Sequence, residues 1–214
     1  MGWSYCNSDD CYRFYLSPLL KEETKCDLFI LKKKGIRGLA ISESFNQNSE
    51  KSVLAGIIMS NDFVIDGFVL GNTTIKGDDA TDEIISMYKK LERPDICYIL
   101  ISGIVLSLYN MVNVKKIYDT LMIPVIGVTY ADSSGLEETI KKHFPENYDE
   151  KIQQYEKIGN REKISLNTSH DVYVRIEGCT ENECKQLLNK ITVQGAIPEP
   201  LRVSHLLAKS ILTG

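Results

Sequence analysis

Ile96–Asn110 reads ICYILISGIVLSLYN. Its first six residues, Ile96-Cys97-Tyr98-Ile99-Leu100-Ile101, form an uninterrupted apolar run that follows a breaker, Arg93-Pro94-Asp95, and stops at Ser102-Gly103. A short apolar run between turn signals, rich in β-branched and aromatic residues, is the pattern of a strand buried on both faces. Such a strand lies inside a sheet, with helices above and below it. Cys97, within the run, reads as a small core residue. The turn at Ser102-Gly103 falls at the strand's carboxyl end, where open α/β sheets gather their ligand sites. Chemistry is therefore expected near Ser102, Gly103 and Asn110.

Upstream, three stretches read as strands: Gly35–Ser42 (GIRGLAIS), Val53–Ser60 (VLAGIIMS) and Phe63–Ile75 (FVIDGFVLGNTTI). Asn61-Asp62 between the last two is a two-residue hairpin signal. Together they predict a three-stranded antiparallel meander. Ile84, Ile85, Met87, Tyr88 and Leu91 then recur at helical spacing before the buried strand. Downstream, Val112–Leu121 reads as a helix and Pro124–Val128 as a short parallel strand. Leu136–His143 and Tyr148–Ile158 read as amphipathic helices, and Val172–Ile176 as an edge strand. Thr180 with Glu183 three residues on is a capping-box pattern opening a helix to Ile191. Ile197-Pro198-Glu199-Pro200 reads as a rigid extended connector, and Leu201–Leu212 as the last helix. The fold class is α/β. A meander followed by helix–strand–helix–strand is the order of a ribonuclease-H-like mixed sheet, with parallel strands after the meander and helices on both faces.

The 214 residues are 43% hydrophobic and 25% charged, with a formal net charge of -4. That length suits one α/β domain with a small addition. The charge gives no general pull toward nucleic acid, so binding to it needs a local basic patch. Lys32-Lys33-Lys34, Arg37 and Lys76 are the candidates, against a reading as a solvated charge run. No apolar run is long enough to span a membrane. Met1–Leu20 lacks the basic start and apolar core of a secretory signal, so a cytoplasmic, reduced chain is expected. Met1–Lys34 reads as an extension of uncertain structure before a domain over 35–214. Cys6/Cys11 and Cys179/Cys184 barely meet the spacing of structural zinc, and packing is the simpler role.

Three blocks, Lys76–Thr81 (KGDDAT), Ser102–Asn110 (SGIVLSLYN) and Ile197–Ala208 (IPEPLRVSHLLA), resemble the endonuclease dU family, which is related to endonuclease V. The resemblance runs from about Gly35 to Gly214. It implies a ribonuclease-H-like fold, a divalent metal (Mg²⁺ or Mn²⁺), and cleavage of DNA at deaminated bases such as deoxyuridine. DNA is the implied partner, with RNA as the other candidate. Asp79 stands at the family's Asp-Ala-Thr aspartate. Glu43 falls at the end of the first strand, where the wider fold places its first metal carboxylate. Where such enzymes show Asp-Gly after the fourth strand, this chain has Ser102-Gly103. A neutral hydroxyl cannot supply the charge that holds Mg²⁺.

Glu43 and Asp79 are thus the candidate metal ligands and catalytic acids, with Asp66 as an outside choice. Each has a plainer reading: Glu43 as a solvated strand end, Asp66 as an outward polar residue, Asp79 as a helix N-cap, a role open also to Asp78. Ser102, Gly103, Asn110 and Arg202 are the candidate substrate-binding residues. Asn110 reads equally as the cap of the next helix. Arg202 reads either as a phosphate clamp or as the partner of Glu199 in locking the Pro-Glu-Pro turn. Tyr109 reads as core more readily than as a stacking platform for an extruded base. His205 reads as a packed helical histidine before a catalyst. The alternative to a nuclease is a nucleic-acid-binding protein that keeps the fold without a complete metal site.

Overall fold

The computed structural model describes residues 35–46, 48–131 and 137–214. Met1–Lys34, with Cys6, Cys11 and Lys32–Lys34, lies outside the described residues. The meander is present as β1 (Arg37–Ser44), β2 (Lys51–Ser60) and β3 (Ile65–Thr74). Helix α1 (Ala80–Leu91) leads into β4 (Ile96–Ser102), the strand that decides the fold. A small hairpin, β5 (Val105–Leu106) and β6 (Asn110–Met111), follows at once. Then come α2 (Val114–Leu121), β7 (Val125–Thr129), α3 (Glu137–His143) and α4 (Tyr148–Lys157). The chain finishes with β8 (Glu162–Ser165), β9 (Asp171–Glu177), α5 (Glu181–Ile191) and α6 (Glu199–Thr213). None of the described helices is long and apolar enough to cross a membrane.

The seven-stranded sheet runs β3-β2-β1-β4-β7-β9-β8. β1 pairs antiparallel with β2 and parallel with β4, and β4 pairs parallel with β7. This is the mixed, ribonuclease-H-like arrangement that the order of elements predicts. Strand alternation sorts the core into two layers. Leu39, Ile41, Ile99 and Ile101 pack with Ile84 and Met87 of α1 and Ile117 of α2. Ala40, Tyr98 and Leu100 pack on the other face with Leu187 and Leu188 of α5 and Leu201 of α6. Tyr98 lies flat on the backbone of β1. A Cβ at Gly38 would overlap its ring, and its buried hydroxyl donates to Asn61 Oδ1 at 2.9 Å.

Three local expectations are corrected. The strand at Val172–Ile176 is not an edge: β9 lies between β7 and β8, and Val172 and Val174 are fully buried beneath α5. The edge is β8, four residues whose single buried side chain, Ile164, was too little pattern to recognise. Ile197–Pro200 is not an extended connector throughout. Helix α6 starts at Glu199 with Pro198 at the N-cap position and Pro200 in the first turn, where a missing N–H breaks no helical bond. Cys97 is half-buried, at the margin of the layer that holds Tyr98 and Leu100.

Candidate functional site

The site is organised by the hairpin that follows β4. Gly103, with φ of +83°, lets the chain leave the sheet in a conformation other residues adopt at a cost. Val105 and Leu106 then pair with Met111 and Asn110. The three residues that close the turn, Ser107, Leu108 and Tyr109, all have left-handed backbones, with φ of 43°, 55° and 77°. Three successive non-glycine residues there cost roughly 1 kcal/mol each or more. Such strain persists only where surrounding contacts hold it, and each end of this turn is held by one of the two candidate acids.

Glu43, half-buried near the end of β1, grips Ser107. Its Oε2 accepts from the Ser107 backbone N–H at 2.8 Å, and its Oε1 accepts from the Ser107 hydroxyl. That hydroxyl belongs to a fully buried trio. It lies 2.8 Å from Ser52 Oγ and 2.7 Å from Thr73 Oγ1, which are 2.6 Å from each other. The Ser107 carbonyl accepts from Lys76 N–H at 2.7 Å. One serine thus ties together the ends of β1, β2 and β3. From the other side, the exposed His205 of α6 places Nδ1 3.2 Å from the Glu43 carbonyl. Beside it Ser204 Oγ and Ser42 Oγ sit 2.6 Å apart, fastening α6 to β1.

Asp79 precedes α1 but does not cap it with its side chain. Its carboxylate accepts from the Thr74 N–H at 3.1 Å, the Thr74 hydroxyl at 2.8 Å and Asn110 Nδ2 at 2.6 Å. Burial pushes its pKa up, but the bonds from Thr74 and Asn110 outweigh burial and hold the carboxyl below its ordinary range. The helix is capped from elsewhere: Ala80 N–H donates to Asn110 Oδ1 at 3.0 Å. Asn110 is fully buried, and its amide also donates to the Thr74 carbonyl at 3.0 Å. It is not the cap of the following helix, where Asn113 accepts from Lys116 N–H. A side chain capping a helix thirty residues earlier leaves no local spacing to find.

The two acids therefore reach one turn, Glu43 through Ser107 and Asp79 through Asn110, three residues further on. They share no hydrogen-bond partner among the described residues. Ser102 and Gly103 lie just beyond the last β1–β4 pair, Ile41 with Ile101. They face a cavity of ≈ 410 Å³ that is also lined by Val105, Tyr130, Tyr155 and Arg175.

The remaining candidates sit elsewhere. Asp66 is at the start of β3, at the opposite end of β1 from Glu43, and pairs with Arg37. A salt bridge there corrects the outside choice of Asp66 as a ligand. Arg37 also drops out of the expected basic edge: Asp66 and Asp95 both pair with it, and β2 separates β1 from β3 and so from Lys76. Arg202 is exposed and makes a two-pronged bond to Glu199, at 2.6 and 2.8 Å. The Tyr109 ring packs on His143 and Phe144, with centroids 5.5 and 5.3 Å away. Cys179 and Cys184 are free thiols, and burial pushes Cys179 up to about 12.

Lys151 is the main residue that sequence reasoning missed. It is 5% exposed, and its ammonium reaches Asp78, the Gly77 carbonyl at 3.2 Å and the Tyr109 carbonyl at 3.4 Å. It pins α4 over both loops of the site. The signal was its helical register with Tyr155 and Ile158, which turns its stem inward.

The chain matches the Endonuclease dU family model over residues 34–212. It belongs to the endonuclease dU family. A UPF0215 protein of Archaeoglobus fulgidus is 31% identical over 179 residues, 83% of this chain and 94% of the relative. A solved protein of unknown function from the same organism has a TM-score of 0.72, at 31% identity, with 83% of this chain and 99% of that one covered. Endonuclease V of Ciona intestinalis, solved with a 23mer DNA containing an inosine, has a TM-score of 0.57 at 14% identity, covering 86% and 87%. At that identity the likeness to endonuclease V is one of fold.

The donor set of this endonuclease dU member does not suit a divalent ion held by several carboxylates. No group of three or more His, Cys, Asp or Glu side chains among the described residues could hold a metal. Glu43 and Asp79 converge on no common point among the described residues, their hydrogen bonds going to Ser107 and to Thr74 and Asn110, and Ser102 brings a hydroxyl where charge is needed.

Proposed function

We propose that this member of the endonuclease dU family is an endonuclease acting on DNA beside deaminated bases, with deoxyuridine its first substrate. The unit responsible spans 35–214, with 1–34 an extension outside it. The observation that carries the reading is Glu43: a carboxylate at the carboxyl end of β1, fixed in orientation by the strained turn at Ser107, with His205 on its backbone carbonyl. Hydrolysing a phosphodiester requires a group that orients and deprotonates water, and a fixed carboxylate does this without reorganising. Asp79 and Asn110 position the turn that holds Glu43, and Ser102 and Gly103 border the cavity beside it. No step is assigned to Mg²⁺ or Mn²⁺, because the described residues do not form their site. Arg202 pairs with Glu199 and holds the first turn of α6.

A second reading follows from the same donor set: a protein that binds nucleic acid and does not cut it. One experiment separates the two. The purified full chain is incubated with single- and double-stranded DNA bearing one deoxyuridine, with Mg²⁺, Mn²⁺ or a chelator, beside Glu43→Gln. Cleavage by the wild type and not by the variant supports the endonuclease. Retention of the DNA without cleavage under every condition supports the binder, and neither retention nor cleavage contradicts both.

A further inference from the structure

The cavity beside Ser102 contains a charge that the proposed chemistry does not use. Arg175 lies on the inward side of β9 and is 7% exposed. Its Nε and Nη2 both donate to the Gly159 carbonyl, at 2.9 and 2.6 Å, and Tyr155 lies beside it. Among the described residues these partners are neutral, and no carboxylate pairs with the guanidinium. A guanidinium carries five N–H donors and stays protonated, so Arg175 retains donors and a full positive charge in a nearly sealed setting. Burying a cation without an anion is among the costliest arrangements in a protein. Burial indeed pulls its pKa below the ordinary range.

The walls say what kind of anion would relieve this. The described lining contains no carboxylate. Arg161 stands on the same cavity and stacks over the Tyr173 ring at 5.4 Å. Val105, Val128 and Ile104 make apolar surface, and Tyr130 and Tyr155 complete the wall. At ≈ 410 Å³ the cavity is within the range of small-molecule sites and holds far more than a bare phosphate ion. We infer that it is a nucleotide-binding pocket in which Arg175 receives a phosphate and the tyrosine-lined apolar wall receives the attached base. The inference rests on the reading of the chain as a nucleic-acid enzyme and deepens it. Arginine suits the role because its fork meets two phosphate oxygens at once, and rings accept bases of any identity. The phosphate can come from a DNA strand or from a free mononucleotide, since the contacts are the same.

Binding tests this without any cleavage, so its failure is distinct from failure of the endonuclease reading. Titration calorimetry compares deoxyuridine 5′-monophosphate, deoxyuridine and inorganic phosphate on the wild-type chain. The monophosphate is expected to bind at least about tenfold more tightly than the nucleoside. Arg175→Met should remove that difference, and Arg175→Lys should keep part of it. Should Arg175→Met fail to fold, Val105→Trp fills the pocket from the hairpin and leaves Arg175 in place; it should weaken the monophosphate by a similar factor. A deoxyuridine oligonucleotide with one neutral methylphosphonate linkage separates the sources. Weakened binding there indicates a strand phosphate, and unchanged binding with a tight monophosphate indicates a free nucleotide. Equal binding of monophosphate and nucleoside, or no binding of either by the wild type, overturns the inference.

Discussion

Replacing Asn110 by alanine removes three hydrogen bonds that do not recover equally. The Ala80 N–H is buried, and losing its acceptor at 3.0 Å leaves an unpaired donor, at about 1–3 kcal/mol. The Thr74 carbonyl and the Asp79 carboxylate belong to exposed residues and regain water, at about 0.5–1 kcal/mol each. The total is roughly 2–5 kcal/mol. For a domain of this size Tm falls about 2–4 °C per kcal/mol, so a drop of roughly 4–20 °C is expected. The pH dependence adds a second criterion. The folded pKa of Asp79 lies below its unfolded value. The stability it contributes is therefore complete above the unfolded pKa, about 3.9, and is lost as pH falls through the folded one. Without Asn110 the depression is smaller and less stability remains to be lost. The gap between wild type and Asn110→Ala should then narrow between about pH 7 and about pH 3. Thermal melts across that range are the assay. A shift under about 2 °C, or a gap that widens in acid, refutes the assignment of Asn110 as the brace of α1.

Lys151→Met keeps the apolar stem and removes the bonds to Asp78, Gly77 and Tyr109. Amide exchange in Glu137–Lys157 should quicken by about tenfold or more, while β4 stays protected. Asp66→Asn breaks a partly exposed pair at the far end of β1; it should cost about 1 kcal/mol or less in urea unfolding and leave any DNA cleavage unchanged. Arg202→Ala removes an exposed pair to Glu199; stability should fall by about 0.5 kcal/mol, and the salt dependence of DNA binding should not change.

What could be read from the sequence follows the periodicities. β4 announces itself because both its faces are buried, and Thr180 with Glu183 forms the capping box it spells. The meander is legible from its apolar runs and the Asn61-Asp62 turn, although β1 extends to Ser44 and so takes Glu43 into the strand. β8 and β9 were misjudged because an edge is a property of neighbours, which one strand's pattern does not carry. The site was legible only as a neighbourhood. Glu43, Asp79, Ser102 and Asn110 could be named from strand ends and motif blocks. Ser107 could not, since a serine between two leucines shows no sign that its backbone is left-handed. Arg175 and Lys151 were hidden too, because each is a charged residue turned inward from an element whose outer face is polar.

Cleavage of a deoxyuridine-containing duplex by the wild-type chain, measured beside Glu43→Gln and Asp79→Asn, bears most directly on Glu43 as the acid on which turnover depends. Glu43→Gln should abolish turnover, and Asp79→Asn should reduce it in proportion to the loosened turn. Equal turnover by wild type and Glu43→Gln would contradict the account.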